Sequence, residues 1–335
     1  MAISLGFQKL RTYYRMIKLF FSLTVNYYYD LQRFFRFSAT INPCKTKNML
    51  QGRIIAHYHV IEKGLSLKNP RPGFGINVVN NLVSILKRYE ENYGLDEVSK
   101  VAINVLFSYQ KFNLSHDIDN QELYQELIKL QQKSPSSDEY PLEGGTITLT
   151  KEDIHKSAFI NFQDFVNSRH SIRNFGTGDV DIKIIEKAVS MAIRTPSVCN
   201  RQTWKVHVYN NEKIKNQILS HQNGNRGFGE YANKVLIITS DLSLFIDVSE
   251  RNQCFVDGGL FAMSLVYALH SLGIGSCCLN WCVSHETDKR LRKDAGIQET
   301  ETVIMMLAVG NLPDKLSVAN SARKKLEDVL VVKNG

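Results

Sequence analysis

Residues 254–272, CFVDGGLFAMSLVYALHSL, place Phe255, Val256, Leu260, Phe261, Met263, Leu265, Val266 and Leu269 almost all round a helix. Such a helix is expected to be buried in a domain centre or in a subunit interface. Gly258 and Gly259 within it each cost about 1 kcal/mol relative to alanine, which suggests that something approaches that backbone closely. Around this stretch, Trp204–Tyr209 and residues 234–239 have strand composition, and residues 302–309 form a nearly continuous apolar run of strand length. Helical stretches lie between them, so the second half of the chain reads as α/β or α+β.

Upstream the period changes. Ile76, Val79, Leu82, Val83 and Leu86, then Val98, Val101, Ala102, Val105, Leu106 and Tyr109, then Leu123, Leu127 and Leu130 recur at helical spacing. SPSSDEYPLEGG, residues 134–145, has the composition of a linker. The expected organisation is a basic aromatic arm at 1–40, a helical accessory domain at 41–133, a linker at 134–160 and a second domain at 161–330.

The arm interleaves aromatics with Lys9, Arg11, Arg15, Lys18, Arg33 and Arg36 against one acid, Asp30. Two readings stand: an interfacial helix on anionic lipid, or a helix whose rings pack on the body or on a second subunit.

The chain has 335 residues, enough for about two domains. Its 43% hydrophobic and 22% charged content excludes wholesale disorder, collagen and a polytopic membrane protein. A formal charge of +8 suits an anionic cofactor or substrate as well as nucleic acid. No recognised nucleic-acid module accompanies it, so no such partner is expected. Six cysteines follow neither a zinc spacing nor CxxC, and no secretory signal precedes them, which points to a reducing, cytoplasmic location, with membrane-surface contact through the arm under the first reading. The best apolar run of the arm, residues 19–29, is bounded by Lys18 and interrupted by Asn26, short of a spanning helix.

Three segments carry chemistry. In Arg169-His170-Ser171-Ile172-Arg173, extended backbone points Arg169, Ser171 and Arg173 to one side, as an anion site requires. A solvated basic loop is the plainer alternative. Residues 195–204, TPSVCNRQTW, offer the Asn200 and Gln202 amides, which both donate and accept and so suit the edge of a heterocycle. Gly273-Ile274-Gly275-Ser276 is a turn that lets backbone approach a ligand, or a plain helix cap at Gly273. In the first half, His57, His59 and Glu62 begin a metal site but lack a third strong ligand, so no metal is expected. The Gly and Pro positions from Asn69 to Gly75 suggest a shaped loop, one candidate for closing over the other domain.

In this order the segments resemble the FMN-dependent nitroreductase family, over about residues 162–329. The matching motifs are Arg169 to Phe175, Pro196 to Trp204, Asp257 to Gly259, Gly273 to Ser276, and Gly310-Asn311-Leu312-Pro313. The resemblance implies an α+β fold with a central mixed or antiparallel sheet flanked by helices, FMN at a homodimer interface, and a mostly helical N-terminal region beside it. It implies that Arg169, His170, Ser171 and Arg173 face the flavin phosphate and pyrimidine. Pro196, Ser197, Asn200 and Gln202 would come from the other subunit. Leu279 and Asn280 would lie beside the ring, Asn225 at its edge, and Arg323 at the phosphate.

Thr203 stands where the family usually has Pro, Ser321 where some members have Lys, and Arg201 adds a cation that would favour an acidic substrate unless it is a surface residue. The His57–Gly75 region resembles the N-terminal extension of nitroreductase-like proteins linked to polysaccharide biosynthesis. The expected activity is hydride transfer from NAD(P)H through FMN, in ping-pong fashion, to a nitro- or quinone-like acceptor or a polysaccharide-pathway intermediate. No catalytic side chain is expected, because the flavin carries the chemistry. The alternative is a catalytically silent flavin-binding or structural module acting through a protein partner.

Overall fold

The computed structural model describes residues 2–40, 45–67, 70–133, 144–146, 161–316, 318 and 325–333. Most of the 134–160 linker, together with Cys44, Ser321 and Arg323, lies outside the described residues.

A long helix, α1 (Ala2–Phe37), precedes a bundle of α2 (Lys47–Leu65), α3 (Ile76–Tyr93), α4 (Glu97–Leu114) and α5 (Gln121–Gln132). Their starts are fixed by side chains that accept orphan backbone N–H groups: Thr46 for α2, Asn120 for α5, and a reciprocal Asp96–Ser99 capping box for α4. The apolar period then buries one continuous core, with Ile54 and Ile61 of α2 against Leu82, Leu86, Leu106 and Leu127. His57 and His59 lie within α2. The His57 Nδ1 donates to the Arg53 carbonyl at 2.8 Å, and among the described residues no group of three His, Cys, Asp or Glu side chains is placed to hold a metal. The 70–75 loop closes on its own bundle: the Gly73 N–H donates to Asn113 Oδ1 at 2.6 Å, and Phe74 packs edge-on against Tyr109.

The second half is a four-stranded, wholly antiparallel sheet in the order β1-β2-β4-β3, from β1 (Trp204–Tyr209), β2 (Lys234–Asp241), β3 (Ile274–Leu279) and β4 (Glu301–Asn311). Alternation along β2 sends Leu236 and Ile238 to one face and Val235 and Ile237 to the other. The first face is covered by α7 (Ile182–Ala192) and α9 (Gln253–Ser271), and the second by α8 (Glu212–Leu219) and α10 (His285–Ala295). A short α6 (Phe162–Ser168) leads in. The fold is thus α+β with a helical N-terminal region, as expected.

α9 is only half-buried. Phe261, Leu265 and Leu269 face the sheet, with Trp204 stacked on Phe261 at 4.8 Å, while Phe255, Val256 and Leu260 are 52%, 53% and 47% exposed. The helix is long and apolar enough to cross a membrane by composition, but its packed half makes it the core helix of this domain. The close approach foreseen at its glycines occurs at Gly258, where a Cβ would fall 2.6 Å from Ile304 of β4; beside Gly259 the space is open.

Candidate functional site

The Arg169–Arg173 segment is pinned at both ends across the sheet. The Ile172 N–H donates to the Ser276 carbonyl of β3 at 2.9 Å, and the Gly176 N–H donates to the Asn311 carbonyl of β4 at 2.8 Å. This crossing depends on two missing side chains: a Cβ on Gly275 would meet Ile172 at 3.0 Å, and one on Gly310 would meet Phe175 at 2.7 Å. Gly273, by contrast, ends α9 in a left-handed turn at φ 75° with nothing nearby, and serves as the helix cap. Ile172 is buried, Arg169 and Ser171 are half-buried, and His170 and Arg173 are exposed.

Arg169 lies beside His270 at the C-terminal end of α9. Burial, and then the Arg169 charge, lower the His270 pKa, and its Nε2 pairs with Ser168 Oγ at 2.8 Å. Arg173 lies over the Phe228 ring, 5.8 Å from its centroid. Burial raises the Cys277 thiol against the opposing pull of Arg173.

The 222–228 loop joins the same cluster. Gln222, buried, donates to the Asn280 carbonyl at 3.1 Å and accepts from the Gly224 N–H at 2.6 Å. The Asn225 amide donates to the Leu219 and Gln222 carbonyls at 2.8 and 2.6 Å, so its hydrogens lock the loop. Leu279 is buried at the end of β3, and Asn280 is exposed just beyond it. The 169–173 segment therefore runs along the edge strand β3, with Arg169 beside the end of α9 and Arg173 beside the 222–228 loop that Gln222 ties to Asn280. Gln222 was not singled out from the sequence, where nothing separates it from a surface glutamine.

The Pro196–Gln202 loop sits elsewhere. Cys199, Asn200 and Gln202 all have left-handed backbone, at φ 49°, 53° and 49°. Outside glycine this conformation costs about 1 to 2 kcal/mol per residue, least for asparagine. Four contacts hold it. The Val198 N–H donates to the buried Asp257 carboxylate of α9 at 3.2 Å, Gln253 donates to the same group at 2.8 Å, the Gln202 N–H donates to Ser197 Oγ at 3.0 Å, and Arg201 pairs with Glu250. The side chain of Arg201 is fully buried, with Nη1 3.1 Å from Glu250 and Nε 3.3 Å from the Val198 carbonyl. This corrects the expectation from sequence: Arg201 is neither a surface cation nor free to attract an acidic substrate, because its charge is spent inside the loop. Asn200 and Gln202 are exposed.

Asp257 and His270 mark the two ends of this arrangement. They are thirteen residues apart on α9, about 20 Å along its axis. A single chain therefore brings the arginine set and the Asn200–Gln202 set to opposite ends of one helix.

Residues 166–233 match the Nitroreductase family model. The matched segment contains the arginine stretch, the Pro196–Gln202 loop and Asn225, and it ends before β3. Among solved structures, the nitroreductase family protein from Streptococcus pneumoniae TIGR4 is 19% identical with a TM-score of 0.44, covering 52% of this chain and 100% of that one. The FMN-dependent nitroreductase from Clostridium difficile R20291 is 19% identical with a TM-score of 0.43, covering 50% and 96%. The nitroreductase family protein from Clostridium novyi NT is 19% identical with a TM-score of 0.42, covering 46% and 87%. No curated protein matches the chain. The nitroreductase match leaves residues 1–165 outside it, and nothing found supports a link of that half to polysaccharide biosynthesis.

Proposed function

We propose that this protein is a homodimeric, FMN-dependent oxidoreductase of the cytoplasm that takes hydride from NAD(P)H and passes it, in a ping-pong cycle, to a small-molecule acceptor. The observation that carries the reading is the separation of two complementary polar sets by an exposed apolar helix face. Packing α9 of one protomer along α9 of another about a two-fold axis buries Phe255, Val256 and Leu260. The same operation sets the Pro196–Gln202 loop of one protomer against the Arg169–Arg173 segment of its partner.

The residues present fit FMN. Arg169, Arg173 and Ser171 suit a phosphate dianion, at about 1.5 to 3 kcal/mol for each charged contact. Leu279 is packed into the core at the end of β3, and Gln222 fixes the exposed Asn280 peptide beyond it. Asn200 and Gln202, held outward by the left-handed loop, supply donors and acceptors for a ring edge. When bound, FMN supplies the hydride acceptance and donation. The chain then has only to bind, orient and admit reactants, and no nucleophile is called for: burial pushes the Cys254 thiol up to about 12.

The test is an absorbance spectrum of the purified protein, followed by anaerobic mixing with NADH or NADPH. A yellow dimer that bleaches, and recovers its colour with a quinone or nitroaromatic, is the expected result. A colourless monomer that takes up no FMN overturns the proposal, and a yellow protein that never bleaches replaces the enzyme with a silent flavin module.

A further inference from the structure

α1 is docked back to front. The spacing Arg11, Arg15, Lys18, Ser22, Asn26, Tyr29, Arg33 runs as one stripe along the helix. The far end of that polar stripe is the part that meets the body. Asn26 accepts from the His285 N–H at 2.8 Å, and Tyr29 donates to Asp288 at 2.9 Å. Arg33, buried, donates to the Glu299 and Glu301 carbonyls at 2.7 and 2.5 Å. The opposite stripe, Leu10, Tyr13, Ile17, Phe20, Leu31 and Phe35, points away from the protein, each side chain 56% exposed or more. Thr24, the polar residue on that outward face, has its hydroxyl tied to the Phe20 carbonyl at 2.9 Å, so burying it leaves no donor unmet.

We infer that the outward face of α1 lies in an anionic lipid surface. The helix has the makings of an in-plane interfacial helix: one broad apolar face and a stripe of cations on the other side. Its tyrosines at 13, 14, 27 and 28 suit the headgroup level, where an apolar body and a polar tip are both satisfied. Charge selects the occupant. Residues 1–29 contain four cations and no acid. Beside the helix an open groove of about 930 Å³ sets Lys289 next to Tyr28, Leu31 and Phe35, while Arg36 there faces Glu299 at 3.9 Å. Anionic headgroups answer these charges, whereas a second α1 brings the same six cations and only one acid, Asp30, to pair with them. The inference is independent of the flavin reading, since it uses none of the residues at 169–280 that the proposed site requires.

Flotation of the full-length protein with vesicles tests it. With phosphatidylcholine vesicles containing roughly one-third phosphatidylglycerol, the protein is expected to float at low salt and to be released as salt rises. Arg11→Ser/Arg15→Ser/Lys18→Ser should weaken that partitioning roughly a hundredfold, at about tenfold for every 1.4 kcal/mol and about 1 kcal/mol per lost cation. Phe20→Glu/Phe21→Glu should abolish it while leaving circular dichroism and bound FMN unchanged, because both rings are exposed. Wild-type protein that stays unfloated with anionic vesicles, or that floats equally with pure phosphatidylcholine, overturns the inference. Self-association lost in Phe20→Glu/Phe21→Glu, without any vesicle binding, assigns the face to a second copy instead.

Discussion

At the scale of single residues, the two guanidiniums at 169 and 173 and the strained loop at 199–202 make opposite demands on stability. Arg169 and Arg173 form no ion pair among the described residues, so their removal should cost little folding energy and fall on the cofactor. Arg169→Ala/Arg173→Ala is expected to lower FMN affinity at least about a hundredfold, measured by fluorescence titration of the apoprotein, since two charged contacts are worth roughly 3 kcal/mol or more. Gln202 is the reverse case. Its backbone sits at φ 49°, where a Cβ is unfavourable, and its side chain only reaches back to the Asn200 carbonyl at 3.4 Å. Gln202→Gly should therefore raise stability by about 0.5 to 1 kcal/mol in urea unfolding while weakening FMN binding. Such a trade is the mark of strain kept for a ligand. The arginine stretch was legible in the sequence as a pattern of charges, because alternation is a local property. The burial of Arg201 was not, because its partner Glu250 lies 49 residues away and no local pattern joins them.

At the scale of elements, β4 begins at a buried carboxylate that ties three strands together. Glu301 accepts from His207 at 2.6 Å and Lys205 at 3.0 Å on β1, and from Thr239 at 2.6 Å on β2. Burial alone would raise its pKa, but these donors outweigh burial and bring it down from 4.5 to about 2. A depressed carboxylate stabilises the fold fully above its unfolded value, and that stability is lost as pH falls from about 4.5 towards 2. The contribution is about 2 to 3 kcal/mol, so Glu301→Gln should lower the urea midpoint at pH 7 and flatten its acid dependence. Most elements were readable beforehand because helix and strand impose different apolar periods, and β1, β2 and β4 fall where those periods place them. α1 is the instructive exception. Hydrophobic periodicity finds the face a helix wants to bury, yet this helix attaches through Asn26, Tyr29 and Arg33 and leaves that face outside. α9 is apolar almost all round for a related reason: one chain supplies a covering for only half of it.

At the scale of the whole molecule, a site divided between protomers behaves differently from a site within one chain, and mixing mutants separates the two. In the proposed dimer each flavin would take its arginines from one protomer and its amides from the other. Leu260→Glu, on the exposed face of α9, should therefore yield folded monomer that binds no FMN, seen by sedimentation and absorbance together. A stronger form uses two variants that each lose the cofactor, Arg169→Ala/Arg173→Ala and Asn200→Ala/Gln202→Ala. Co-expressed in equal amounts they pair at random, and about half of the dimers hold one chain of each kind. In such a dimer one site collects both defects and the other collects neither. About a quarter of all sites should then recover FMN and NAD(P)H oxidation, because closed two-fold symmetry duplicates the same contact on each side. Sites built within one chain would recover nothing, since every chain carries one defect wherever its partner comes from.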